Sequence, residues 1–196
     1  MSAQESAERL EARAVASSSS SVMGMVVFVA SETMFFMAFF AIFAQAYSAA
    51  KVWPPLKTPV PSLGLPTAGV IVLAVSAIPM ALALLAARRK GGAGAFKWLV
   101  ATIVLGVAFC VLWIVSLPDI GFGIKDGIYA SLFYVMNGLG IAHVIGGIVF
   151  AVMVSTQAAA GELRLRRDPA ESLAVYWFFV VVLGVALFAA FYLAAG

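Results

Sequence analysis

Apolar residues in this chain gather into long unbroken runs, and short polar stretches separate them. The first run is continuous from Val22 to Tyr47. The others extend over about Pro66 to Ala87, Phe96 to Leu117, Gly127 to Thr156 and Ser172 to Leu193. A helix rising ~1.5 Å per residue needs about 20 residues to cross a ~30 Å hydrocarbon core, and each run is long enough. The pattern predicts an all-α, polytopic membrane protein, a bundle of five transmembrane helices over residues 22–196 behind a polar tail over residues 1–21. Pro79 lies inside the second run and is expected to kink it. Lys51-Val-Trp-Pro-Pro after the first run cannot be helical throughout. Pro118-Asp119 ends the third run.

The polar tail carries Glu5, Glu8, Arg9, Glu11 and Arg13, then five serines from Ser17 to Ser21. Mixed charge of this kind suits neither a signal peptide nor an organelle transit peptide. The spacing of Glu5, Arg9 and Arg13 supports a short surface helix, with disorder as the alternative, and the serines offer an N-cap just before the first span. Composition agrees with a membrane chain: 64% of residues are hydrophobic and 11% charged, and the mean hydropathy is +1.07. The basic residues set an orientation. Arg9, Arg13, Arg88, Arg89, Lys90, Lys97, Arg164, Arg166 and Arg167 fall on one side of a five-span chain, against Lys51, Lys57 and Lys125 on the other. By the positive-inside rule the N-terminus is cytoplasmic and the C-terminus outside.

Candidate chemistry is sparse. Glu32 is the one charged side chain within the first run, near its middle. An acid at that depth is costly unless protonated, hydrated or paired, so it faces protein. It reads as an acid bridging two helices, as a member of a proton or ion path, or as a lipid or assembly contact. The chain has one histidine, His143, and one cysteine, Cys110, which bound its metal chemistry. A bis-histidine haem or a tri-histidine metal centre cannot be built from it alone. By rise along the fourth span, His143 lies within one turn of the depth of Glu32, and the two are expected to pair. Gly138, Ala142 and Gly146 form a small-residue stripe on that span, where another helix can approach closely. Phe35, Phe36, Phe39, Phe40 and Phe43 crowd the first span as packing residues, and Trp53, Trp98 and Trp177 are placed near span ends, at the membrane interface.

Three motifs carry a resemblance to a known family. Ser31-Glu-Thr-Met-Phe-Phe-Met-Ala-Phe-Phe with the following Trp53-Pro54-Pro55, then Phe133-Tyr-Val-Met-Asn-Gly-Leu-Gly-Ile-Ala-His143-Val-Ile-Gly-Gly, then Tyr176-Trp177-Phe-Phe-Val, resemble subunit III of haem–copper respiratory oxidases. The likeness runs from about Val22 to the end, in a five-span form without the family's first two helices. It implies a subunit with no catalytic centre and no cofactor of its own, beside the catalytic subunit I that holds haem and copper. It also implies a V-shaped helix arrangement whose cleft holds phospholipid, a carbodiimide-reactive membrane acid at Glu32, support of proton uptake, and protection of the catalytic subunit during turnover. The implied setting is a bacterial inner membrane and an aerobic respiratory chain, with other oxidase subunits and a larger supercomplex as partners. Three positions depart from the family pattern: Gly140 replaces a histidine, and Phe178 and Val181 stand where the last span usually has a histidine and an aspartate. Accessory subunits of nitric oxide reductases share the resemblance. A small transporter or channel is the reading from another class, opposed by the single intramembrane acid and by the lack of an evident inverted repeat.

Overall fold

A computed structural model describes residues 3–55, 63–89, 94–164 and 166–194, with side chains from Ser20 onward except that of residue 164. Of the loop residues weighed above, Lys57 and Lys90 lie outside the described residues. The described residues are helical, with short turns between helices and no strand. Five helical segments are long and apolar enough to cross a membrane: Ser20–Ala49, Gly64–Arg88, Ala95–Ile120, Ile128–Ala159 and Asp168–Leu193.

The first helix, α1 (Ala3–Ala49), is a single rod of 47 residues, ~70 Å long at helical rise. It passes straight through the serines, so they do not cap the first span, and the tail up to it is neither a separate short helix nor disordered from Ala3 on. Nothing between Ala3 and Met23 breaks a helix, there being no proline and no glycine. Each serine costs only a few tenths of a kcal/mol of propensity there. The rod ends before Trp53-Pro54, whose peptide bond is cis.

The second span is two helices, α2 (Gly64–Val75) and α3 (Ala77–Arg88), interrupted at Ser76. Pro79 has no N–H to give the carbonyl of Val75 four residues back, and the break falls there. Ser76 is fully buried. Its Oγ donates to the Leu73 carbonyl at 2.6 Å and accepts the indole N–H of Trp177 at 3.0 Å. The third span is α4 (Ala95–Ser116), closed by a 3-10 turn at Leu117–Ile120. The fourth is α5 (Ile128–Ala159). The fifth begins at Asp168, four residues before the apolar run, as α6 (Asp168–Phe188), and ends in a π turn at Ala189–Leu193. Pro169 sits in the first turn, where its missing N–H leaves no bond unmade. Asp168 and Glu171 favour the positive end of the helix dipole.

Helix α6 is the hub, packed against α1, α2, α3 and α5, while α4 is sandwiched between α5 and the α2–α3 pair. Helix α1 lies at the edge, against α6 and α5. One end of the bundle is an aromatic cluster around Phe43, Phe122, Tyr129, Phe133 and Phe191. The other end packs small and aliphatic residues such as Ala83, Ala87, Ala95, Leu99 and Ala151 around Trp177. Trp177 is therefore not an interfacial ring: it is wholly buried. Nine residues past the true start of its helix, it is too deep to reach the boundary, and Ser76 satisfies its N–H.

Candidate functional site

Glu32 and His143 meet across the α1–α5 contact, with Glu32 Oε2 3.1 Å from His143 Nε2. Side-chain exposure is 24% for Glu32 and 13% for His143, so the pair is shielded but open along one edge. The other ring nitrogen, Nδ1, lies 2.8 Å from the Leu139 carbonyl one turn back on α5. A carbonyl only accepts, so Nδ1 carries a proton and the tautomer follows from the network. One further proton then lies between Oε2 and Nε2. Either the carboxyl donates its O–H to a neutral imidazole, or an imidazolium donates its N–H to a carboxylate. Both arrangements are neutral overall, which is how an acid becomes tolerable near the middle of a span.

Aromatic rings fix the imidazole. Phe36 meets it edge-on at 5.2 Å, Phe179 edge-on at 6.1 Å, and Tyr176 lies nearly parallel at 6.5 Å. Tyr176 also donates its hydroxyl to the backbone carbonyl of His143 at 3.0 Å and stacks on Phe28 at 6.2 Å. One residue of α6 thereby ties α5 to α1. The hydroxyl is absent from any helix-period argument, because a tyrosine at an apolar position reads as packing until its partner carbonyl is known.

The remaining candidates separate from this pair. Ser31 is exposed and donates to the Phe28 carbonyl of its own helix at 2.8 Å. Trp53 packs edge-on against Phe43 and Tyr129, both at 5.3 Å, in the aromatic end cluster, and Pro54 beside it is buried while Pro55 is half-buried. Gly138, Ala142 and Gly146 are exposed, and Gly138 has no atom within 4 Å of where a Cβ would stand. Among the described residues no helix packs closely on Gly138. The Tyr176 hydroxyl comes near Gly146, 3.2 Å from a Cβ built there. Close approach uses other glycines. Trp177 lies 2.8 Å from a Cβ on Gly106 and 3.0 Å from one on Gly147, and Leu187 lies 2.7 Å from one on Gly140. Gly140, where the family pattern has a second histidine, thus leaves room for an aliphatic side chain. Among the described residues no three His, Cys, Asp or Glu side chains gather as a metal-binding group.

Five apolar spans around a neutralised acid–imidazole pair define a polytopic helical membrane subunit. The family model for cytochrome c oxidase subunit III matches residues 6–195. Among curated relatives, cytochrome c oxidase subunit 3 of Synechocystis sp. is 29% identical over 174 residues, covering 88% of this chain and 75% of that protein. The protein of the same name from Thermostichus vulcanus is 28% identical, covering 88% of this chain and 86% of its own. A probable cytochrome c oxidase subunit 3 from Rickettsia prowazekii is 31% identical, covering 87% and 67%. The chain belongs to the cytochrome c oxidase subunit III family. It is a subunit III of a haem–copper oxidase, and works within a complex with other oxidase subunits.

Proposed function

We propose that this chain serves the oxidase as a scaffold whose Glu32–His143 pair both holds α1 to the bundle and keeps one mobile proton inside the membrane. Haem and copper reside in the catalytic subunit beside it, and phospholipid fills the open edge along α1. The N-terminus faces the cytoplasm, as the basic residues favour, and the membrane is the bacterial inner membrane. The observation that carries this reading is the 3.1 Å contact between Oε2 and Nε2 with Nδ1 pinned by Leu139. A pair held only for packing needs a hydrogen bond. A pair that relays a proton needs an ionisable acid.

Two substitutions of Glu32 distinguish these needs in the purified complex. Glu32→Gln keeps a side-chain N–H that donates to Nε2 and removes the titratable group. Glu32→Leu removes both. Glu32→Gln is expected to retain subunit III stoichiometrically while the oxidase loses activity in fewer turnovers than the wild type. Glu32→Leu is expected to lose the subunit on purification as well. A Glu32→Gln complex that turns over for as long as the wild type removes the proton role and leaves the scaffold.

A further inference from the structure

Two adjacent glycines, Gly146 and Gly147, leave a slot on α5, and Tyr176 fills it from α6. A Cβ on Gly146 would stand 3.2 Å from the Tyr176 hydroxyl, and one on Gly147 3.1 Å from its ring. The tyrosine is buried there. Its hydroxyl donates to the His143 carbonyl at 3.0 Å, and its ring lies 19° from the plane of the imidazole. The same ring stacks on Phe28, which stands one helical turn before Glu32 on α1. Tyr176 is thus wedged between the two helices that carry the acid and the imidazole, at the level where those two groups meet.

Little else in these three spans can act on the pair electrostatically. Over residues 20–49, 128–159 and 168–193 the only other charged side chains are Asp168 and Glu171, in the first turn of α6. They precede Tyr176 by eight and five residues, or ~12 and ~8 Å along the axis. Glu171 also has its own partner in Arg88, and Asp168 in Arg166. Phe36 and Phe179, the other rings against the imidazole, are uncharged. The separation of Oε2 and Nε2 therefore governs where their shared proton sits. An ion pair gains attraction as its members approach, whereas a carboxylic acid beside a neutral imidazole has no such gain. At an effective dielectric constant of ~20, lengthening the contact by ~0.5 Å moves the balance about threefold toward the neutral pair.

We infer that Tyr176 is a positioning residue for the proton shared by Glu32 and His143: its hydroxyl and ring set the distance between Oε2 and Nε2, and through it the ratio of ion pair to neutral pair. The inference rests on the proton role proposed above. It is tested by infrared spectroscopy of the purified oxidase complex, where a carboxylic acid and a carboxylate absorb separately. The bands of Glu32 are those lost in Glu32→Gln. Tyr176→Phe keeps the ring, removes the donor, and is expected to raise the protonated-to-ionised ratio of Glu32 about threefold. Gly146→Ala crowds the hydroxyl from the opposite side and should raise the ratio by a smaller factor, so it carries the test if Tyr176→Phe is lost from the complex. Tyr129→Phe supplies the control. It removes a hydroxyl bond of the same kind from α5, to the Phe191 carbonyl at 2.8 Å, at the far end of the bundle, and should leave the ratio unchanged. A ratio unmoved by Tyr176→Phe in a complex that retains the subunit overturns the inference. So does a ratio moved as far by Tyr129→Phe, which would mean general loosening of α5. Failure of the proton role itself is read elsewhere, in the turnover of Glu32→Gln.

Discussion

Glycines 184 and 138 lie on neighbouring helices at apolar positions, yet they do opposite things. A Cβ on Gly184 would collide with the Leu73 side chain, whereas one on Gly138 meets nothing. Gly184→Ala is therefore expected to destabilise the subunit by about 1–3 kcal/mol through overpacking. Gly138→Ala should be neutral or stabilising by up to ~1 kcal/mol through helix propensity. Thermal unfolding of the two variants in the same detergent checks the contrast. Sequence spacing alone favours the other glycine, because Gly138, Ala142 and Gly146 share a stripe that Gly184 lacks. Spacing fixes which residues share a face but not the azimuth of that face, which is set by the neighbouring helices. Depth is different. It needs only the rise per residue, and the level assigned to Glu32 and His143 agrees with their 3.1 Å contact. What depth leaves out is the third group, Leu139, whose carbonyl decides where the protons sit.

Among the elements, the broken second span shows how a proline becomes an interhelical joint. Pro79 frees the Val75 carbonyl and opens the helix at Ser76. The hydroxyl exposed there serves Leu73 at 2.6 Å and Trp177 at 3.0 Å. The kink was legible in the residues 76–79, since proline acts on its own helix. Its use was not, since Trp177 is 101 positions away. Ser76→Ala and Trp177→Phe should each cost about 1 kcal/mol, near the range measured for single hydrogen bonds between membrane helices. The double substitution should cost little more than either alone, because both delete the same bond. Strictly additive losses in thermal unfolding would show that Trp177 stabilises the joint by its ring volume only. The N-terminal serines teach the reverse lesson. They look like a cap, but a cap needs a chain that leaves the helix, and no residue from Ala3 to Met23 makes it do so.

Across the whole molecule, burial is uneven. In its most apolar 18-residue window α1 is 11% buried, against 44% for the last span. The five-span count and helical class follow from run length, which reflects bilayer thickness and no tertiary detail. The hub position of α6 does not follow, because all five runs are similarly apolar and nothing local ranks them. This unevenness has a dynamic consequence. Amides open with free energies that scale with the contacts an element must break, so an edge helix held by two neighbours opens before the helix that four others surround. Salt bridges do not alter that order. Arg88–Glu171 joins the ends of α3 and α6 at 3.1 Å, but its arginine is 54% exposed, and such pairs contribute ~0–1 kcal/mol. Hydrogen–deuterium exchange of the subunit in detergent should therefore run at least ~10-fold faster through the middle of α1 than through the middle of α6, a gap of ~1.4 kcal/mol in opening free energy. His143→Ala should widen the gap by releasing Glu32, and it should leave α6 amides unchanged. Equal rates in α1 and α6 would mean that the five spans open as one unit, with the Glu32–His143 and Tyr176 contacts strong enough to offset the small buried area of α1.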